Sequence, residues 1–184
     1  MLGLADRLDA INRWTGLVVR WLALAMVLVQ FLIVLLRYVY GFSDVFASES
    51  VLYMHAALFM LGAGYTLLVD GHVRVDIFYA RWEKPQKARV NIGGVLLLLL
   101  PSMALLAWVT WPFVRNSWGI LEGPISVGGI PASFLLKSLI PAFCALLIVQ
   151  ALAALLRDLV TAKGVTAKGV TPKGVTAKDP RHQA

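Results

Sequence analysis

The sequence contains a single cysteine, Cys144, and only three histidines. One cysteine excludes an internal disulfide, and this thiol lies in an apolar run, where it behaves as a small hydrophobic side chain. No histidines or cysteines stand at metal-ligand spacing, and the chain has neither a nucleophile elbow nor a glycine-rich phosphate loop. We therefore expect no enzymatic activity, no metal site and no cofactor.

The sequence also lacks the residues that other functions of membrane proteins require. A haem-binding anchor needs two axial ligands within the membrane, whereas His55 is the only histidine inside an apolar segment. A self-sufficient transporter has repeated halves or broken helices that form a midplane site, and the two halves of this sequence show no repeat. The alternative function is a stand-alone four-helix membrane protein, either a haem or quinone anchor or a proton-coupled exporter using Glu49.

Charged residues are scarce, at 15% of the chain, whereas 59% of the residues are hydrophobic. This composition lies outside the range of soluble globular proteins and predicts an integral membrane protein. The net charge of +7 comes from basic residues at the ends of apolar runs and in the tail. Because topology determinants are distributed in this way, we expect contacts with membrane lipids and none with nucleic acid.

Four apolar segments are long enough to cross a hydrocarbon core of about 30 Å as helices. They predict an all-α fold with spans at residues 16–38, 45–69, 90–113 and 131–156. Residues 1–15 have the pattern of a short amphipathic helix in the membrane interface, or of the beginning of the first span. Residues 119–130 are almost uncharged and rich in glycine and proline; they predict either a loop that packs against protein or the membrane interface and is a candidate partner contact, or a plain turn between two spans. Residues 157–184, with their VTAKG repeats, predict a disordered basic tail.

The segment between the second and third spans, residues 70–89, is the only long charged interval before the tail. The N-terminal segment, this connector and the tail together carry fourteen Lys and Arg residues, whereas the opposite side carries two, Arg37 and Arg115. Positive residues are retained on the cytoplasmic side of a membrane. We therefore expect both termini and the connector in the cytoplasm, and the 119–130 loop on the outer side.

Polar side chains inside the spans are costly in lipid and point to helix contacts or to function. We expect Gln30 and His55 to hydrogen-bond a neighbouring helix, and Glu49 to form an ion pair with Arg37 or Lys137 at the same membrane level. Glu49 and His55 are separated by about 240° of helix rotation, so they do not predict a joint proton or metal site.

Small residues and prolines predict local features of the helices. Gly62, Ala63 and Gly64 lack side-chain bulk and allow another helix to approach closely. Pro101 lies within the third span and predicts a kink. Pro85 and Pro131 are suited to the first turn of a helix, where the N–H that proline lacks would have no partner.

Two stretches of the sequence resemble a known family. The second span ends in LFMLGAGYTLLVDGHVRVDIFY, and the fourth is approached through ISVGGIPASFLLKSLIPAFCALLIVQ. Together with four helices whose outer ends have short loops, these stretches resemble the DctQ-like small membrane subunit of TRAP (tripartite ATP-independent periplasmic) transporters over about residues 10–158. The most specific piece is the sequence GHVRVD at residues 71–76.

The resemblance implies a scaffold subunit of a sodium-driven transporter in the bacterial inner membrane, which imports an organic acid delivered by a periplasmic binding protein. In that family the large membrane subunit carries the substrate and sodium sites and moves like an elevator. The residues expected to contact the large subunit or to fix the assembly are Arg74, Asp76, His72, Glu49, Arg37, Lys137, Gln30 and Gln150. Those expected to face the binding protein are Ser43, Asp44, Glu122 and Ser126.

Overall fold

A computed structural model of the chain describes residues 2–72, 82 and 84–162. The helices in these residues are α1 (Leu2–Tyr40), α2 (Val45–Leu68), α3 (Lys84–Gly94), α4 (Leu100–Gly119) and α5 (Ser133–Ala162), with a π-helical segment, Val95–Leu99, that joins α3 to α4. No strand occurs in these residues. Four helical stretches are long and apolar enough to cross a membrane, which confirms the predicted all-α membrane fold. The cytoplasmic location of the termini stays a prediction.

Helix α5 is the centre of the bundle. It packs against α1, α2, α3 and α4, and α1 also packs on α2. In the most apolar 18-residue stretch of α5, 28% of the residues are buried by the rest of the protein, compared with 6% or less in the corresponding stretches of the other three spans. Its buried side chains, among them Cys144, Leu147 and Ala151, are of small to moderate size. The remaining helices therefore turn most of their apolar surface outward, toward lipid or another chain.

Helix α1 has 39 residues, which at 1.5 Å per residue is about 58 Å, nearly twice the thickness of a hydrocarbon core. Residues 2–15, for which the sequence predicts a separate interfacial helix or the start of the span, continue into the span without a break. Asp6, Asp9 and Asn12 recur at a spacing of three residues and so lie on one broad face. This face is turned toward α5, which supplies its polar partners.

The third span contains the π-helical segment directly in front of Pro101. In a regular α-helix a proline removes one hydrogen bond, and its ring clashes with the carbonyl one turn earlier. Here the N–H of Leu100 bonds to the oxygen of Val95, five residues back. The turn ahead of the proline is thereby widened, which accommodates the ring within a continuous helical stretch.

The two prolines expected to open helices differ in position. Pro85 is the second residue of α3, within its first turn. Helix α5 begins at Ser133, so the prediction for Pro131 is wrong by two residues. Before Ser133 the chain forms a turn, in which the N–H of Ala132 bonds to the Ile130 oxygen at 2.8 Å. The N–H groups of Leu135 and Leu136, in the first turn of α5, then bond to the Ala132 oxygen.

At Gly64 of α2, helices α1 and α5 both approach closely. A Cβ atom at Gly64 would lie 2.9 Å from Cγ of Asn12 and 3.3 Å from Cβ of Leu146. Asn12 is fully buried and hydrogen-bonded, so it has no room to move away. The predicted close helix approach is confirmed at Gly64. At Gly62 it is not, because a Cβ there would meet nothing within 4 Å.

We expect Gly64→Ala to lower the free energy of unfolding by about 1–3 kcal/mol, which is the usual effect of overpacking a close contact. Gly62→Ala should be neutral or slightly stabilising, because alanine is the better helix former. Both substitutions add one methyl group to the same helix, so the comparison isolates the contact with Asn12. Thermal unfolding of the full chain in detergent measures the difference, and equal melting temperatures would contradict the packing described.

Candidate functional site

Five polar residues join the first half of α1 to the second half of α5. The amide nitrogen of Asn12 donates to Oε1 of Gln150 at 3.0 Å and to a backbone oxygen of α5. Gln150 donates in turn to Oδ1 of Asp9 at 3.0 Å. Arg157 forms ion pairs with Asp9 and, at 2.9 Å, with Asp6. We call these residues, Asp6, Asp9, Asn12, Gln150 and Arg157, the α1–α5 cluster.

The α1–α5 cluster fixes the first and last helices against each other. The Asp9 carboxylate is 4% exposed and receives donors from both Gln150 and Arg157, so its charge is compensated inside the chain. Buried charges are tolerated when they are paired and hydrogen-bonded in this way. Gln150, expected at a subunit interface, is 2% exposed and bonded within the chain. Its polar atoms are therefore turned away from the surface.

At the other end of the bundle, Glu49 holds the loop between α4 and α5. One carboxylate oxygen accepts the backbone N–H of Ser126 at 2.9 Å, and the other accepts that of Ile130 at 2.8 Å. Glu49 is only 7% exposed. The predicted ion pair of Glu49 with Arg37 or Lys137 is therefore wrong, because two backbone donors compensate the carboxylate instead. We call residues 120–132 the α4–α5 loop.

Glycines let the α4–α5 loop close around the carboxylate. Gly128 has a φ of +83°, and the N–H of Gly129 bonds to the Ser126 oxygen at 2.9 Å, which is the hydrogen bond of a tight turn with glycine at its third position. A Cβ atom at Gly129 would overlap the carboxyl group of Glu49. The sequence GG at this point is therefore required by both the backbone conformation and the close approach.

The first half of the α4–α5 loop is tied to α5 by side chains. Lys137 pairs with Glu122, and Ser133 donates to the backbone oxygen of Gly123. Trp118, at the end of α4, donates to the hydroxyl oxygen of Ser138 at 2.7 Å. The hydrogen bond from Lys137 lowers the pKa of Glu122 below its ordinary value. The link therefore holds at neutral pH and is lost as the pH falls through that lowered pKa.

The residues expected to face a binding protein occupy this same end of the molecule, but not all are available. Asp44 caps α2 by accepting the N–H of Ala47 at 2.9 Å, and Glu122 is paired with Lys137. Ser43 and Ser126 are exposed, although the backbone N–H of Ser126 is held by Glu49.

The α4–α5 loop carries an exposed apolar surface. Four of its side chains are more than half exposed: Ile120 (75%), Leu121 (64%), Ile125 (57%) and Val127 (99%). Leu121 also has a left-handed φ of +45°, an unusual conformation for a bulky residue. Residues 123–130 carry no charge, and the expectation of a partner contact in this loop, which stays a prediction, rests on that absence. The loop therefore presents a firmly anchored apolar tip.

Gln30 and His55 face outward in the middle of their spans. Both side chains are exposed, and neither has a hydrogen-bond partner in the part of the chain that the structure describes. Each lies ten residues from the end of its helix at the short α1–α2 connection, which corresponds to about 15 Å along the helix axis. The two polar groups thus lie at a similar depth, while Glu49, on the other side of α2, is buried. The partners expected on a neighbouring helix are not within these residues.

The remaining expected residues lie near helix ends or outside the described structure. Arg37 is exposed in the last turn of α1. His72 is exposed just beyond α2 and lines a cavity. Arg74 and Asp76 lie outside the described residues, as does the tail from residue 163 onward. Among the residues described, no group of three or more His, Cys, Asp or Glu side chains could hold a metal ion.

The chain matches a protein-family model. Residues 26–161 match the family model described as "Tripartite ATP-independent periplasmic transporters, DctQ component". The matched range runs from the middle of α1 to the end of α5 and includes Glu49, the α4–α5 loop and Gln150. Neither a curated protein nor a solved structure matches the chain.

Proposed function

The chain belongs to the DctQ component family of tripartite ATP-independent periplasmic transporters, and we propose that it is the small scaffold subunit of a sodium-driven carrier of organic acids. A DctQ component is a transporter subunit and not an enzyme. In this proposal it stabilises a large elevator-type membrane subunit in the bacterial inner membrane. It also helps to dock the periplasmic binding protein that delivers the substrate.

The observation that carries this proposal is that every acidic residue within the described part of the chain already has a partner. Asp6 and Asp9 bind Arg157, Asp44 caps α2, Glu49 binds the α4–α5 loop and Glu122 binds Lys137. Asp70 and Asp158 are engaged as well. These carboxylates fix helices and a loop in place, as a scaffold requires. The same arrangement argues against the alternative of an exporter that uses Glu49, because both of its oxygens are occupied.

The contact with the large subunit is proposed to include Gln30 and His55. Polar side chains at membrane depth normally find a partner in protein, and an interhelical hydrogen bond in a membrane is worth up to about 1–2 kcal/mol. Since these two residues have no partner among the described residues, a second membrane chain is the natural source of one. Arg37, His72 and the pair Arg74 and Asp76 extend the proposed contact toward the ends of the spans.

Copurification with the large subunit tests the mid-membrane contact. We expect Gln30→Leu combined with His55→Leu to reduce recovery of the large subunit roughly tenfold, because two interhelical hydrogen bonds of about 0.7 kcal/mol each would be lost. The chain itself should keep its melting temperature, because both side chains face outward.

A conservative variant provides the matched control. Gln30→Asn with His55→Gln keeps hydrogen-bonding groups at both positions, so recovery of the large subunit should be largely retained. Full recovery with the leucine variant would refute the proposed contact at Gln30 and His55. Sodium-dependent uptake of the organic acid by the intact transporter, but not by this chain alone, tests the proposed function as a whole.

A further inference from the structure

A cavity of about 680 Å³ lies between α1, α2 and α5. Its wall is apolar and includes Leu58 and Phe59 of α2 and Phe143 and Leu147 of α5. The cavity is open at Gly62, where an added Cβ atom would meet no other atom within 4 Å. In a chain that spans the membrane, such a space between helices is filled by hydrocarbon and not by water, because it offers water too few polar partners.

Two basic side chains, Arg20 and His72, also line the cavity, and both are exposed. His72 follows the end of α2, and the guanidinium of Arg20 lies 5.6 Å from the centre of the Trp21 ring. Tryptophan is enriched at the membrane–water interface. These positions place the charged rim at the level of lipid headgroups on the side of the α2–α3 connector.

The depth of the cavity corresponds to one leaflet. Leu58 lies ten residues before Leu68, the last residue of α2, which is about 15 Å along the helix axis. Half of a hydrocarbon core of about 30 Å has the same thickness. The apolar wall therefore extends from the headgroup level to about the middle of the membrane.

We propose that this cavity binds an anionic phospholipid of the leaflet on the connector side, with one acyl chain between α1, α2 and α5. The phosphate of the headgroup lies at Arg20 and His72. Charge complementarity selects an anionic lipid, because each basic residue near the membrane surface adds to the attraction. The bound acyl chain fills the space between the helices at Gly62, which no protein side chain fills. This inference does not depend on the identity of the transported substrate.

Native mass spectrometry of the delipidated full chain, titrated with dioleoylphosphatidylglycerol or dioleoylphosphatidylcholine, tests the site. We expect the first phosphatidylglycerol to bind about fivefold more tightly than the first phosphatidylcholine, as one charge contact provides. Arg20→Gln should abolish this preference. Gly62→Leu should abolish first-site binding of both lipids, because the leucine side chain occupies the cavity.

Gly93→Leu is the matched control, because Gly93 is also a helical glycine with nothing within 4 Å of an added Cβ and lies outside the cavity. It should bind both lipids as the unchanged chain does. Leu17→Phe, which fills the cavity from α1, gives a second variant if Gly62→Leu does not fold. If a folded variant with a filled cavity binds the first lipid with unchanged affinity, the proposed location of the lipid site is wrong. If the unchanged chain binds both lipids with equal affinity, the proposed preference for an anionic headgroup is wrong.

Discussion

Arg157→Met is expected to lower the free energy of unfolding by about 1–3 kcal/mol, the cost of leaving a buried charged acceptor short of a donor, because Asp9 is buried while the Arg157 side chain is 33% exposed. The substitution keeps the apolar stem but leaves the Asp9 carboxylate, 4% exposed, with Gln150 as its remaining donor in the α1–α5 cluster. The first helix then loses its charged link to the central helix. Thermal unfolding of the full chain in detergent should show the loss as a lower melting temperature.

Two variants separate this ion pair from a general effect of charge. Arg13→Met removes a positive residue from the same end of α1, where Arg13 is exposed and forms no ion pair with the residues described, so it should change stability little. Asp9→Asn combined with Arg157→Met should recover part of the stability, because the uncompensated carboxylate is gone. A double variant that is as unstable as the sum of both single variants would contradict the pairing.

Glu49→Gln is expected to release the α4–α5 loop. The amide can accept one of the two backbone N–H groups, but its NH2 group then faces the other donor. Since a hydrogen bond to a charged group contributes about 1.5–3 kcal/mol, we expect a destabilisation of about 2–3 kcal/mol concentrated in the loop. Hydrogen exchange at the Ser126 and Ile130 amides should accelerate by about two orders of magnitude, because each loss of about 1.4 kcal/mol in local stability raises the exchange rate tenfold.

Glu122→Gln provides the control, since it removes the same charge from a second carboxylate that contacts the α4–α5 loop or lies in it. The ion pair of Glu122 with Lys137 is partly exposed, with side-chain relative exposures of 34% for Glu122 and 21% for Lys137, so we expect only a small effect on stability. If the α4–α5 loop docks the periplasmic binding protein as proposed, Glu49→Gln should also weaken substrate uptake that depends on the binding protein. The large subunit should still copurify with this variant. Unchanged exchange at Ile130 would refute the anchoring role of Glu49.

The general architecture could be predicted because it depends on composition and helix length. Four apolar runs of sufficient length give four spans, and the family is indicated by two stretches of sequence at residues 58–79 and 125–150. Close helix approach at Gly64 follows from the absence of a side chain. These features are local, so the residues that produce them are neighbours in the sequence.

The partners of the buried polar groups could not be predicted in the same way. Asp9 and Gln150 are separated by 141 residues, and no local pattern reveals that they meet. Glu49 binds two backbone N–H groups, which every non-proline residue carries, so no residue type in the sequence marks them. The predicted partners of Glu49 were charged side chains. The observed donors are instead backbone N–H groups of the loop, whose turn is made possible by Gly128 and Gly129.

The central position of α5 has a consequence for biosynthesis. Because α5 follows the other described helices in the chain, the earlier spans enter the membrane before the helix on which all of them pack has been synthesised. Until then, the packing that can form includes the pairing of α1 with α2, the contacts along the third span and the hydrogen bonds of Glu49 to the α4–α5 loop. Completion of the bundle is therefore coupled to the synthesis of α5, and a ribosome that stops before Ser133 releases spans without their common core.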